Sequence, residues 1–164
     1  MNRSSALKIL IASSHADTRV AVSWMLRQAY PAAVISKAET SAEVIQVTES
    51  DVPDCVVVDA SLIDLSTELA SFSETLWQCQ VPLILIHDGT DASPMDADSC
   101  PDVAAWLVRS SLSVSYVELA ISKAVTLASM ACRIAALEQE AQQLRNDKLA
   151  LEAAATEVTP ADGE

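Results

Sequence analysis

Glycine is almost missing from this chain of 164 residues, with only Gly89 and Gly163 present. Loops that cradle phosphates or dinucleotides need several glycines so that backbone N–H groups can close on the ligand, so a cofactor site of that kind is excluded. Basic residues are missing from a long middle stretch. Between Lys37 and Arg109 there are fourteen Asp and Glu but no Lys or Arg, and the net charge is −13. Such a surface repels phosphate backbones and anionic lipid. Direct binding to nucleic acid or membrane is therefore not expected, and a basic protein surface is the partner that suits it. The four cysteines, Cys55, Cys79, Cys100 and Cys132, form no Cys-x-x-Cys pair, which argues against a zinc site and a disulfide framework. No apolar run approaches the roughly 20 residues that cross a bilayer. Residues 1–6 read as a flexible lead-in without a signal-peptide cleavage pattern, so a cytoplasmic protein is expected. No Ser-His-Asp or metal-ligand spacing stands out, and enzyme chemistry is not expected.

Short apolar runs alternate with stretches of helical spacing. Residues 7–12, 33–36, 55–59, 81–87 and 104–108 read as strands. A first helix covers 17–30, with Val20, Ala21, Trp24 and Met25 as its apolar face. A second opens on the capping box Thr40 and Glu43 and runs to about Ser50. A third covers 66–78. Between His87 and Ala104 the periodicity breaks, so a fourth helix there is expected to be short or missing. Strands apolar on both faces that alternate with helices imply a parallel sheet covered on both sides. The expected class is α/β over residues 7–126: a flavodoxin-like, doubly wound, five-stranded parallel sheet ordered 2-1-3-4-5. Chemistry in such sheets gathers at the carboxyl ends of the strands.

From Val114 there is no Gly or Pro until Pro160. Leu127, Ile134, Ala141 and Lys148 recur every seven residues, and so do Met130, Leu137, Leu144 and Leu151, three positions later in each heptad. This is the a/d stripe of a coiled coil, so residues 127–152 are expected to extend the last helix as the seam of a parallel homodimer. In a parallel pair Arg133 of one chain faces Glu138 of the other, and Glu140 faces Arg145. Only Asp147 against Glu152 repels. Lys148 at an a position favours two strands. Residues 153–164 are small and acidic, and disorder is expected there.

Asp54-Cys55-Val56-Val57-Val58-Asp59, with Pro53 in front, resembles the "P-D-hydrophobic-hydrophobic-hydrophobic-D" run of bacterial response-regulator receiver domains. Val81-Pro82-Leu83-Ile84-Leu85-Ile86 resembles their fourth strand, and Trp106-Leu107-Val108-Arg109 the fifth. The resemblance spans roughly residues 7–126. It implies that Asp59 holds the phosphoacceptor position, that Ser13, Ser14, His87 and Arg109 form the pocket around it, and that Trp106 stands where receivers carry a signalling-face aromatic.

Several positions depart from that pattern. The acidic pair that holds Mg²⁺ in receivers reads Ser13-Ser14, the small hydroxyl residue after the fourth strand is His87, the lysine is Arg109, and the proline after it is Ser110. Two hydroxyls do not replace two carboxylates for Mg²⁺, a hard cation that demands oxygen ligands. The expectation is therefore a near-neutral pocket with a standing Asp59–Arg109 ion pair, a trans bond before Ser110, and no metal or other cofactor. His87 is expected to crowd the pocket, and Trp106 to cover the edge of the core. The chain is therefore expected to act as a dimerising protein-interaction module in two-component signalling, independent of Mg²⁺-dependent phosphorylation; its partner would be a histidine kinase or an output protein. The alternative is a stand-alone phosphorelay receiver, phosphorylated on Asp59 by a histidine kinase with Mg²⁺. Receivers of antitermination regulators resemble the layout of pocket and coiled coil, but an RNA-binding output is not expected here.

Overall fold

A computed structural model of the chain describes residues 6–89 and 103–157, the side chains of 154–157 excepted. Strands β1 (Lys8–Ala12), β2 (Val34–Ala38), β3 (Cys55–Asp59), β4 (Leu83–His87) and β5 (Val103–Val108) form one sheet. All neighbours are parallel, and the order is β2-β1-β3-β4-β5. The helices are α1 (Ala16–Ala29), α2 (Ser41–Ser50), α3 (Leu69–Gln78) and α4 (Val114–Glu157). The doubly wound sheet expected from the apolar runs is the one observed.

Side chains alternate between the two faces of each strand, and this splits the core in two. Leu10, Val56, Val58, Leu83 and Leu85 pack with Val44 of α2 and Leu69, Phe72 and Leu76 of α3. Ile9, Ile11, Val57, Ile84 and Ile86 pack with Val22 and Leu26 of α1 and Val117, Ile121 and Ala124 of α4. Strand β3 is buried along its whole length, so its last residue, Asp59, is delivered into the protein rather than into solvent.

The apolar face of α1 differs from the expected one. Val22, Ser23 and Leu26 are buried, with Met25 packed beside them, whereas Val20 is 61% exposed and Trp24 59%. Both sets recur at i, i+4, so periodicity alone did not separate them; the sheet beneath chose the one that reaches Ile9 and Ile11. Helix α3 starts at Leu69 rather than Ser66, because Asp64 holds a turn there, accepting from the backbone N–H and hydroxyl of Ser66. Thr40 caps α2 by accepting from Glu43 N–H, while the Glu43 carboxylate accepts from Glu39 N–H. Residues 90–102, where a fourth helix was expected to be short or missing, lie outside the described residues, as do residues 1–5.

The chain divides into two compact units at Ala128/Ser129. Residues 153–157, expected to be disordered, are helical as the end of α4, and 158–164 lie outside the described residues. Within Val114–Ala153 one 18-residue window reaches a mean hydropathy of 1.4, enough by length and composition to cross a membrane. The expectation that no stretch comes near this is corrected to that extent. The apolar character has two sources on different faces: core residues such as Val117 and Ile121 early in the helix, and the exposed heptad positions later. From Val125 to Ala153 no residue is buried.

Candidate functional site

The carboxyl ends of β1, β3, β4 and β5 bring together the residues singled out in the sequence. Asp59 ends β3 and is 1% exposed. Its Oδ2 accepts from Ser13 Oγ at 2.8 Å. Its Oδ1 accepts from Arg109 Nη2 at 2.7 Å, from Ser61 Oγ at 2.9 Å and from Ser61 N–H at 3.1 Å. The last two bonds exist because Ala60–Leu62 turns into a 3₁₀ helix that Asp59 itself caps. Each carboxylate oxygen has about two lone-pair positions; Oδ1 is crowded by three donors, while Oδ2 has one, Ser13 Oγ.

Arg109, just after β5, is the hub of the site. Its guanidinium presents donors in a rigid fork. Nη2 serves Asp59, Nη1 donates to Thr18 Oγ1 of α1 at 2.7 Å, and Nε donates to Asp88 Oδ1 after β4. One side chain thereby ties three loops to α1. Asp88 also corrects the expected charge balance. Two carboxylates face one guanidinium, so the site carries an excess of negative charge rather than being near neutral. Because Asp88 is exposed, its contact with Arg109 is a solvated one and the tighter pair is Asp59–Arg109.

The remaining residues fall to either side. Ser13 is fully buried, while Ser14 is exposed and its Oγ lies 3.3 Å from His15 Nδ1. His15 stands at the mouth, Nδ1 3.8 Å from Asp59 Oδ2. His87, at the end of β4, accepts from Gly89 N–H through Nδ1 at 3.2 Å, and its ring meets Trp106 edge-on with centroids 6.0 Å apart. Trp106 packs against the α2–α3 half of the core, and its buried Nε1 has no partner among the described residues. No peptide bond among the described residues is cis, including the one before Ser110. Thr18, Ser61, Asp88 and His15 were not foreseen. Only Asp88 gave a signal, an acid directly after a strand that ends near Asp59.

Burial pushes the Asp59 pKa up, but hydrogen bonds from Arg109, Ser13 and Ser61 together outweigh it and hold the carboxyl below its ordinary value. The same pair raises Arg109. Since the unfolded Asp titrates at about 3.9, Asp59 contributes its stability in full above that value and loses it as pH falls through the lower, folded pKa. The wild type should therefore lose more stability than Asp59→Asn between pH 5 and pH 3, measured by urea midpoints at both pH values. Equal losses would count against this assignment.

Receivers hold Mg²⁺ beside the phosphoacceptor, and the residues here do not fit that ion. Among the described residues no group of three or more His, Cys, Asp or Glu could hold a metal. Both oxygens of Asp59 are taken by donors, and Ser13 spends its proton on that carboxylate. No step through a metal follows from this geometry.

No protein-family model and no curated protein sequence matches the chain. Solved structures do. The signal receiver domain of an HD-domain protein from Pseudomonas fluorescens aligns with TM-score 0.60 and 18% identity, over 77% of this chain and 99% of that one. A response-regulator receiver domain from Clostridium thermocellum aligns with TM-score 0.61 and 15% identity, over 76% and 98%. The fold is that of a response-regulator receiver domain. At these identities the likeness concerns the receiver fold alone. A third structure, a fusion carrying the trimeric coiled coil of yeast Spc42, matches 93% of this chain and 99% of its own, with TM-score 0.61 and 16% identity. It thus reaches further along the chain than the isolated receivers.

Proposed function

We propose that this chain is a receiver-derived signalling protein that dimerises through α4 and binds a partner protein in the cytoplasm without being phosphorylated. The observation that carries the reading is the buried hydrogen-bond network that holds Asp59 against Arg109, Ser13 and Ser61. A phosphoacceptor must be open to the incoming phosphoryl donor and have positive charge nearby to stabilise the transition state. Asp59 is buried, its oxygens accept four hydrogen bonds, and among the described residues its only cationic partner in hydrogen-bond contact, Arg109, is shared with Asp88. Attack would require breaking the contacts that hold four loops together. The pocket then acts as a structural lock, holding one conformation where a regular receiver alternates between two. Activity as an enzyme is not part of this reading.

Dimerisation rests on the second unit. An isolated helix is marginal in water, and after Ala124 none of the described α4 side chains is buried. The a/d residues are exposed, from 44% at Leu127 to 72% at Leu151, and a second copy would cover them. Incubation with acetyl phosphate and Mg²⁺, followed by mass spectrometry of the intact chain, should give no gain in mass. A phosphoryl adduct that disappears in Asp59→Ala would overturn the proposal in favour of a stand-alone phosphorelay receiver.

A further inference from the structure

A cleft of about 340 Å³ opens between α2 and α3, and none of the residues that hydrogen-bond Asp59 line it. That is the lower end of the range for clefts that accept a ligand group, about 300–1,000 Å³. Its floor is apolar: Ile63 and Phe72 are almost fully buried and Ile45 is half-buried beside them. Its rim carries the hydroxyls of Ser41 and Ser71 and the exposed carboxylate of Glu68. The Glu68 carboxylate makes one long contact, accepting from Asp64 N–H at 3.3 Å, and so keeps acceptor capacity free.

The charge around the cleft has one sign. Helices α2 and α3 contain Glu43, Glu49 and Glu74 and no Lys or Arg. Elsewhere in the first unit, half of the described Lys and Arg side chains are held in ion pairs: Lys8 with Asp51, Arg19 with Glu39, and Arg109 with Asp59 and Asp88. We infer that the α2–α3 cleft docks a basic amphipathic segment of a partner protein, one apolar side chain entering over Ile63 and Phe72 while Lys or Arg beside it meet Glu68. Apolar anchors of an amphipathic helix laid into a hydrophobic groove are a recurring mode of recognition, and the acidic field would speed capture of a cationic one. The exposed apolar pair Val20 and Trp24 on α1 lies on a helix that also presents exposed Arg27, and it suits a cationic partner less well.

The inference deepens the interaction-module reading and rests on it. A synthetic amphipathic helix of Leu and Lys, titrated into the ¹⁵N-labelled full chain, is the probe; a counterpart with every Lys replaced by Glu is its control. Amide shifts should centre on α2 and α3, and the acidic counterpart should not bind. Glu68→Lys should weaken binding by about tenfold or more, and the charge-neutral, cleft-filling Ser71→Trp should do likewise. Asp17→Lys on α1, with the same change in net charge, should weaken it much less. Shifts centred on Val20 and Trp24, equal weakening by Glu68→Lys and Asp17→Lys, or no saturable binding would each overturn the cleft. Those outcomes leave an interaction module standing, which fails instead on a phosphoryl adduct at Asp59.

Discussion

Arg109→Ala lowers the unfolding free energy by about 3 kcal/mol, the scale expected when one partner of a buried ion pair is removed and the other is left unpaired. For a chain of this size that is roughly 6–12 °C in Tm, readable by calorimetry. Asp59, almost inaccessible to water, loses its cation while keeping only hydroxyl and amide donors from Ser13 and Ser61. The reciprocal change, Asp59→Ala, leaves Arg109 one-third exposed and still bonded to Asp88 and Thr18. It should cost about 1 kcal/mol, because a solvated guanidinium does not need Asp59 as a buried carboxylate needs Arg109. The double variant should then be more stable than Arg109→Ala alone, with a coupling of about 2 kcal/mol in the cycle. Arg109→Lys falls between, since a point charge cannot serve Asp59, Thr18 and Asp88 at once. Additive costs would show that the pair is not the lock proposed here.

The sheet was legible because burial on both faces leaves a plain mark: Val56, Val57 and Val58 all had to be apolar, whichever half of the core each joined. Helix faces were less legible. In α1 two stripes of similar quality compete, and the larger side chain, Trp24, lies on the exposed one. The Asp59–Arg109 contact could be anticipated from two strand ends that the topology brings together. The rest of the site depends on how loops turn. Ser61 reaches Asp59 only because Ala60–Leu62 winds into a 3₁₀ turn. Thr18 reaches Arg109 only because α1 starts two residues before it. His87 is held by Gly89 N–H and the edge of Trp106, contacts that the strand motif does not announce. A strand has two faces but its final side chain has several rotamers, and nothing in the local sequence says which is taken. The charge balance went astray for a related reason. Asp88 lies just past β4, where alignment to a strand motif ends, yet it reaches the same guanidinium.

Placing aspartates at Ile134 and Leu137 together should abolish self-association of the full chain, raising the dissociation constant by at least about a thousandfold. Two copies would each bring two charges into a seam that otherwise buries four aliphatic side chains, at a cost above 1 kcal/mol per site. Sedimentation equilibrium over a range of concentrations reads the change directly, and near-UV circular dichroism shows whether the first unit keeps its packing. Leu149→Asp is the matched control. Leu149 is as exposed as its neighbours in the stripe, at 64%, but sits at a b position, outside the seam. Exposure alone predicts similar effects at Leu137 and Leu149; a heptad seam predicts an effect at Leu137 only. The polar contacts along the helix are compatible with that seam. Gln143 donates to Asp147 at 2.9 Å, and Lys148 lies 3.7 Å from Glu152. The second contact offsets part of the Glu152 charge, easing the one repulsive cross-pair, Asp147 against Glu152. Such exposed contacts are worth only about 0.3–0.5 kcal/mol each. They tune the register, while the apolar stripe holds the dimer. A monomeric wild-type chain, or equal behaviour of the Ile134/Leu137 variant and the Leu149 control, would leave α4 without the role proposed for it.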